Sequence, residues 1–183
     1  MRRMILALLA LCAGAGLGWA QDFAISTNVL DYANLGTLNL QASFAVNRHW
    51  SVNAGVKYNP FTYRSGEEAV QSRQLSYSAG ARFWPWHSYS GWWLSGALRY
   101  QEYNQGGFVS RETSEGDRFG GILGGGYTYM LNKHMNIDVG IGVWLGYDRF
   151  TTYACQTCGR IIADGGKYFV KPGDIMLALT YIF

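Results

Sequence analysis

Two cysteines and three histidines are the residues whose types could support chemistry in this sequence. Cys155 and Cys158 stand as Cys-x-x-Cys in the segment TYACQTCGR, a spacing found in redox pairs, in half-sites for zinc and in small disulfides. A structural zinc site needs four ligands, and no nearby histidine or further nearby cysteine completes one. A thioredoxin-like site would lie in a βαβ unit, and the flanking sequence has no such pattern. A disulfide, a free dithiol and redox catalysis remain open.

The histidines stand in short polar breaks between apolar runs. A histidine can act as a general base only within hydrogen-bond reach of a nucleophile and an orienting acid. Whether such partners can be reached depends on the end of the fold that these breaks occupy. The three residues are His49, His87 and His134.

Residues 1–20, MRRMILALLALCAGAGLGWA, have the layout of a secretory signal peptide, with two arginines, an apolar run and small residues near the cleavage position. The run from Met4 to Leu11 is too short for a membrane-spanning helix. The bulky residue before Cys12 argues against a lipoprotein signal. We therefore predict a cleaved leader followed by one domain at 21–183. Export into an oxidising compartment favours a disulfide in the Cys-x-x-Cys pair.

Charge and composition exclude some classes of protein. Without Arg2 and Arg3 of the leader, 15 basic residues become 13 against 12 acidic ones, so the formal charge falls from +3 to +1. Nucleic-acid binding would need a basic face or stripe, and we expect none. Charged residues make up only 15% of the chain and aromatic residues 16%, whereas soluble proteins average about 25% charged residues. This composition is typical of a membrane β-barrel.

Alternation of apolar and polar residues predicts the elements that position these side chains. Apolar residues occupy every second position from Leu38 to Val46, and after a polar break the pattern resumes from Trp50 to Tyr58. Two such runs around a tight turn predict a β-hairpin. Six further runs bring the predicted number of strands to eight. They lie at about 24–31, 74–83, 94–101, 120–130, 135–147 and 174–183.

The predicted connections alternate in length. Short turns are expected at 47–49, 85–91 and 131–134, and longer links at about 60–72, 103–117 and 149–173. Short turns at one end and long loops at the other are typical of outer-membrane barrels. The sequence therefore predicts an all-β fold, an eight-stranded antiparallel up-and-down transmembrane β-barrel in the outer membrane of a Gram-negative bacterium. All three histidines then belong to the short-turn, periplasmic end.

The polar side of the strands is predicted to face the lumen. A soluble, lipocalin-like barrel has the same period with its apolar side inward, but its outer face would carry many lysines and glutamates. Here the polar side is mostly Asn, Gln, Ser and Gly with isolated charges. We expect these charges to pair within the lumen rather than to catalyse a reaction. They are Lys57, Arg82, Arg99 and Asp138.

Tryptophans flank the predicted short turns. Amphipathic rings favour the boundary between lipid and water, and two aromatic belts bracket the apolar band of a membrane barrel. Ordinary packing of aromatic residues in hairpins is the alternative. The predicted girdle at the short-turn end consists of Trp50, Trp84, Trp86, Trp92 and Trp93.

The closing segment DIMLALTYIF carries apolar residues at alternate positions up to a final phenylalanine. This pattern matches the C-terminal signal by which the barrel-assembly machinery reads outer-membrane proteins. We expect that machinery to be a partner during biogenesis. The residues of the predicted signal are Ile175, Leu177, Leu179, Tyr181 and Phe183.

Four segments also carry a resemblance to a known family. They are TNVLDYANLGTLNLQASFAVNRHWSVNAGVKYNPF, ARFWPW, SGALRYQEYNQGG and IMLALTYIF. Together they resemble the family called domain of unknown function 3575, over nearly the whole chain after the leader. The more specific parts are Asn59-Pro60-Phe61, with Phe61 where Trp is expected, and Gln101-Glu102-Tyr103-Asn104. The resemblance implies a small outer-membrane barrel of Bacteroides-like bacteria, and it supplies no activity or catalytic residue.

Function is expected on the loops or the lipid face, because side chains fill the interior of an eight-stranded barrel. We expect a non-enzymatic structural or surface-binding protein that uses no cofactor or metal. Its partners would be outer-membrane lipid and a surface protein or glycan that meets the loops. The alternative is an enzyme that acylates or deacylates lipid A. That enzyme would need a His–Ser–acid site near the outer leaflet, which histidines at the periplasmic end cannot reach.

Overall fold

The computed structural model describes residues 23–63, 70–107, 111–155 and 159–183. The predicted leader lies outside the described residues, so its cleavage stays a prediction. The described residues form nine strands and one helix of five residues. The elements are β1 Phe23–Asn28, α1 Val29–Ala33, β2 Leu38–Ala45, β3 Trp50–Asn59, β4 Thr62–Tyr63, β5 Val70–Phe83, β6 Gly91–Gly106, β7 Thr113–Met130, β8 Met135–Tyr153 and β9 Ile161–Ile182.

The strands form one antiparallel sheet whose two edges pair with each other. Strands β1, β2 and β3 pair in succession, as do β5 to β9. Strand β1 also pairs with β9, and β3 pairs with β5, so the sheet closes into a ring. Strand β4 has two residues and lies beside β5. The predicted all-β, antiparallel up-and-down architecture is confirmed.

The two faces of the ring differ in polarity, and the arrangement is the opposite of that in a soluble protein. Polar and charged side chains such as Ser76, Arg82 and Asp138 are buried, whereas large apolar side chains such as Leu98 and Ile141 are exposed. Successive side chains of a strand point to opposite faces. The interior of the ring is therefore polar, and its outer surface is apolar.

Strands β6 to β9 are longer than the alternation predicts. Strand β7 begins at Thr113 and β9 at Ile161, so much of the predicted links at 103–117 and 149–173 is strand. In these segments glycines and polar residues occur on both faces. The period of two is visible only where one face is apolar and the other polar, and the sequence therefore does not reveal these strand ends.

The predicted opening strand at about 24–31 is too long, because the chain turns into α1 after Asn28. The Asn28 side chain caps this helix by accepting a hydrogen bond from Leu30 N at 3.3 Å. A helix of five residues is too short for a 3.6-residue period to appear in the sequence. Among the described residues, no helix has both the length and the apolar character needed to cross a membrane.

Two of the short turns share one geometry. Asn47 Oδ1 accepts a hydrogen bond from His49 N, and Asn132 Oδ1 accepts one from His134 N, each at 2.9 Å. Asparagine closes turns in this way because its side chain reaches its own backbone two residues on. The predicted short turns are confirmed, and they bring the three histidines to one end of the ring.

Candidate functional site

Three groups of charged side chains lie inside the ring, from the short-turn end to the loop end. In the first, Arg82 of β5 meets Asp138 of β8, with Nη1 3.2 Å from Oδ2 and both side chains almost fully buried. Asp138 also accepts hydrogen bonds from Thr128 at 2.6 Å and Thr180 at 3.0 Å. Both oxygens of this carboxylate are therefore bonded.

The middle group is centred on Asp174 of β9. Its carboxylate lies 2.8 Å from Lys57 Nζ and accepts a hydrogen bond from Arg99 Nη1 at 3.1 Å. Lys57 also contacts Asp31 of α1 at 2.7 Å. Two cations thus share two carboxylates, and this arrangement ties α1 to the strands around it.

The third group lies nearest the loop end. Asp148 accepts hydrogen bonds from Arg118 Nε at 3.0 Å and from the Tyr103 hydroxyl at 2.8 Å. The Arg118 guanidinium also stacks over the Tyr103 ring, 3.4 Å from its centroid. A cation–π contact of this kind adds to the ion pair. The charges of this group are therefore paired within the ring, like those of the other two.

The four charges predicted to face the lumen all lie in the first two groups. Asp174, the partner of Lys57 and Arg99, escapes prediction from the sequence, and so does the third group with its pair Arg118 and Asp148. Asp148 follows outward-facing Tyr147, and Arg118 precedes outward-facing Phe119. Alternation extended by one position would therefore have identified both.

Little space is left in the middle of the ring. The cavities beside Arg99 and Asp174 measure about 70 and 40 Å³, room for a few water molecules. Arg99 stacks on Trp144, 5.4 Å from the ring centroid, and Arg82 on Trp93 at 4.5 Å. The middle of the ring, around Arg99 and Asp174, is therefore filled by side chains. Larger open cavities of about 830 and 460 Å³ lie at the short-turn end, beside Tyr89 and Asn136, and toward the loops, beside Tyr103.

The five tryptophans of the predicted girdle divide between the two faces. Trp84 and Trp93 are buried and pack together with ring centroids 6.4 Å apart, and Trp84 Nε1 donates to Ser51 Oγ at 2.9 Å. Their assignment to the girdle is wrong, because both side chains lie inside the ring. Trp93 follows outward-facing Trp92, and adjacent residues of a strand point to opposite faces. These two rings fill the short-turn end of the interior. The tryptophans exposed on the outer surface are Trp50, Trp86 and Trp92.

Each histidine at the short-turn end donates a hydrogen bond to a backbone carbonyl. His49 Nδ1 lies 3.0 Å from Trp84 O, and His134 Nδ1 lies 3.0 Å from Ile182 O. His87 Nδ1 lies 3.2 Å from the carbonyl oxygen of the next residue. These bonds hold the turns against the strands, and none of them joins a histidine to a serine hydroxyl or a carboxylate.

The Cys-x-x-Cys segment is described only in part. Cys155 takes part in a disulfide bond, and Cys158 lies outside the described residues. Their pairing therefore stays a prediction. Within the described ranges, no three side chains of the His, Cys, Asp or Glu type are grouped so that they could hold a metal ion.

The row of the predicted assembly signal lies along the outer face of β9. Its five side chains, from Ile175 to Phe183, are all exposed. Phe183 N donates to Phe23 O at 3.0 Å, which joins the end of the row to β1. Recognition of the row by assembly machinery stays a prediction.

Strands β7, β8 and β9 continue beyond the point where β1 ends, beside the loop-end parts of β5 and β6. The last pair between β1 and β9 joins Asn28 to Ala178, whereas β9 extends beyond this pair as far as its first residue, Ile161. The continued segments pair with one another, Thr113 with Tyr153 and Tyr153 with Ile161. We call this region the projecting wall and define it as residues 113–117 of β7, 149–153 of β8 and 161–167 of β9.

The projecting wall combines mixed charge with exposed apolar side chains. Glu115 accepts hydrogen bonds from the Tyr153 hydroxyl at 2.8 Å and from Asn104 at 3.0 Å. Ile161 and Ile162 at its far end are exposed. It is the candidate functional surface, because the middle of the ring is filled and the wall presents accessible groups of several kinds.

Comparison with known proteins gives one family. The model of the family described as "Protein of unknown function (DUF3575)" matches residues 4–183, a range that includes every strand described above. No curated protein and no solved structure matches the chain.

Proposed function

The chain belongs to the DUF3575 family, and from this premise we propose that it is a non-enzymatic outer-membrane β-barrel protein that acts at the cell surface. The ring of strands spans the membrane, with its short turns in the periplasm. The projecting wall and the loops beside it meet a partner outside the cell. The partner class is a surface protein or a glycan.

The observation that carries this proposal is the apolar outer surface of the ring. Along β8 the outward side chains Val139, Ile141, Val143 and Leu145 are all exposed, and Ile141 is 71% exposed. Soluble monomers rarely expose a contiguous apolar patch larger than a few hundred Å². A band of this kind around a closed ring is favourable in lipid, where it faces hydrocarbon.

Aromatic side chains at both edges of the band support the same proposal. Rings with one polar atom favour the headgroup region of a membrane. The exposed residues at the short-turn edge are Trp50, Trp86 and Trp92, and those at the other edge are Tyr58, Tyr77, Tyr100, Tyr147 and Tyr168.

The filled middle of the ring and the position of the histidines favour a binding role over a pore or an enzyme. Cavities of about 70 and 40 Å³ cannot conduct solutes. All three histidines are bonded to carbonyls at the periplasmic end, far from the outer leaflet where lipid A is modified. Accessible polar and charged groups on the projecting wall are what a surface partner would meet.

The membrane location is tested by a matched pair of substitutions. Arginine on the lipid face at mid-membrane costs about 2–4 kcal/mol. We therefore expect Ile141→Arg to lower the free energy of unfolding in lipid vesicles by about that amount, and Ile162→Arg on the projecting wall to leave it nearly unchanged. The wild-type protein should fractionate with outer membrane and migrate faster on gels unheated than boiled. Equal changes in the free energy of unfolding for the two substitutions, or a soluble product without heat-dependent migration, would contradict the proposal.

The binding role is tested by photo-crosslinking in cells. A photoreactive residue in place of Glu115 on the projecting wall should give a defined crosslinked product at the cell surface. The same residue in place of Arg48 in a short turn should not give that product. Lipid A should have the same mass spectrum with and without the protein. A changed lipid A profile would replace the binding role with an enzymatic one.

A further inference from the structure

One edge of β9 carries no strand beside it over much of its length in the described part of the chain. Strand β1 pairs with β9 only from Ala178 to Ile182. The Asn28 side chain covers the next positions, donating to Ile175 O at 3.1 Å and accepting from Leu177 N at 3.0 Å. From Ile161 to Gly173, β8 is the one described strand that pairs with β9. An unpaired edge presents a row of backbone N–H and C=O groups to any further strand.

The ladder between β8 and β9 shows which amides face this edge. Ala154 N donates to Arg160 O at 2.9 Å, so even-numbered residues of β8 hydrogen-bond toward β9. The register between the two strands shifts between Thr152 and Tyr153, and the extra residue lies in β9. The even-numbered residues of β8 therefore keep their direction, and Asp148 lies opposite Lys167 in a hydrogen-bonded position. Positions in an antiparallel ladder alternate. The amides that point toward the free edge are therefore those of Asp164, Gly166 and Tyr168.

Side chains along the free edge are unusually accessible. Tyr168 is 87% exposed and Val170 is 76% exposed, more than any other large apolar side chain in the described residues. A Cβ atom added to Gly165 would meet no atom within 4 Å. The segment therefore presents apolar surface and open backbone together.

The free edge is also cationic. Between Gly159 and Asp174 it carries Arg160, Lys167 and Lys171 against the single carboxylate of Asp164. Lys167 Nζ lies 4.4 Å from the Phe150 ring and Lys171 Nζ 4.6 Å from the Trp144 ring, so both ammonium groups contact aromatic rings rather than carboxylates. A partner strand with acidic side chains would complement this charge.

We propose that the free edge of β9 binds an extended, acidic segment of a different surface protein by strand addition. The backbone of the segment pairs with Asp164, Gly166 and Tyr168, and main-chain hydrogen bonds of this kind supply the affinity of β-augmentation. Its apolar side chains lie beside Tyr168, and its carboxylates lie beside Lys167. The inference rests on the proposed surface role, for which it names the mode of recognition and the chemistry of the partner.

A second copy of this chain fits the edge less well. Two copies upright in one membrane would bring their β9 strands together in parallel, so that the cations of one segment lie near the same cations of the other. Like charges facing each other across strands are destabilising. The charge of the segment therefore favours a partner of opposite sign.

The probe for this inference is a synthetic peptide of alternating valine and glutamate, as long as the free segment. Added to the folded protein in lipid vesicles, it should slow hydrogen exchange at the amides of Asp164, Gly166 and Tyr168 by at least about tenfold, which corresponds to about 1.4 kcal/mol. Exchange at Lys167 N, which bonds to β8, should not change. An alternating valine–lysine peptide of the same length should give less than a third of this effect.

Two substitutions at one position separate backbone pairing from charge. Asp164→Pro removes an edge-facing N–H, and proline is tolerated on edge strands, so this variant should fold and lose the protection at Gly166 and Tyr168. Asp164→Ala keeps the N–H and should retain the protection. Heat-dependent migration on gels confirms the fold of both variants.

Several results would overturn the inference. They are no protection by the valine–glutamate peptide, equal protection by the valine–lysine peptide, and unchanged protection in Asp164→Pro. Protection that rises with protein concentration without any peptide would assign the edge to a second copy. A soluble protein whose edge still binds the peptide would refute the membrane proposal alone, so failures of the two proposals are distinguishable.

Discussion

The two parts of β9 have opposite surroundings. From Ala178 to Ile182 the strand is flanked by strands on both edges, and its inward side chains Ala178, Thr180 and Ile182 are buried. From Ile161 to Lys167 the strand has β8 on one edge, and every residue is exposed. The backbone continues as a strand through both parts. Neighbouring strands, rather than the conformation of β9 itself, therefore determine which part contributes to stability and which part remains accessible.

The same division applies to charge. Ion pairs of the closed part, such as Arg82 with Asp138, are enclosed by the ring. Charges of the projecting wall, such as Asp164 and Lys167, are in contact with solvent. Unpaired buried charges are costly, whereas exposed charges change stability little. The same kind of substitution should therefore change the free energy of unfolding by very different amounts in the two parts.

The largest expected effect is that of Asp138→Ala in the closed part. Removing this carboxylate leaves the buried guanidinium of Arg82 without its partner, and we expect a loss of about 3–5 kcal/mol in the free energy of unfolding. Denaturant titration in lipid vesicles, followed by tryptophan fluorescence, measures the change. The double variant Arg82→Met with Asp138→Leu should regain most of it. If the double variant is as unstable as Asp138→Ala, the loss comes from packing and not from the unpaired charge.

A smaller loss is expected from a methyl group added inside the ring. A Cβ atom on Gly126 would lie 2.5 Å from Trp93 Cζ2 and clash with the carbonyl of Val139. Overpacking of this kind costs about 1–3 kcal/mol, measured for Gly126→Ala by the same titration. Gly121→Ala in the same strand is the matched control, since its Cβ would meet no atom nearer than 4.0 Å. Equal losses for the two variants would argue against a closely packed interior.

A loss of about 1–3 kcal/mol, toward the lower end, is expected for Trp84→Phe. The substitution removes the donor to Ser51 Oγ and leaves a buried hydroxyl without that bond. Trp86→Phe on the outer surface should change the free energy of unfolding by less than about 0.5 kcal/mol. The comparison fails if Trp86→Phe is as costly as Trp84→Phe, because both rings would then belong to the same environment.

The smallest effect is expected on the projecting wall. Asp164→Ala should alter the free energy of unfolding by no more than about 0.5 kcal/mol, because the side chain is exposed. Amide hydrogen exchange should also be faster at Asp164 and Gly166 than at residues 178–182. Slow exchange at both places would mean that a segment outside the described residues covers the free edge.

Prediction from the sequence succeeds where one face of a strand is apolar and the other polar. The exposed row from Val139 to Leu145 and the inward position of Asp138 follow from that alternation. The method fails for residues 161–167, because both faces of that segment are exposed and neither selects apolar residues. The partners of the inward charges also stay hidden, since Arg82 and Asp138 are 56 residues apart in the chain. Closure of the ring brings them together, and no local pattern encodes it.

The seam between β1 and β9 has a consequence for the speed of folding. Leu177 N bonds to Asn28 Oδ1 across 149 residues of chain, whereas the hairpin bond of Asn47 to His49 spans two. Contacts between distant segments form slowly, because the entropy of loop closure is lost before the contact contributes any stability. Hairpins such as β2–β3 can therefore form early, and the ring closes last. Until the ring closes, β1 and residues 178–182 of β9 each have an unpaired edge. Closure of this seam is therefore the rate-limiting step of folding, and the risk that a strand pairs with a wrong partner is greatest before it.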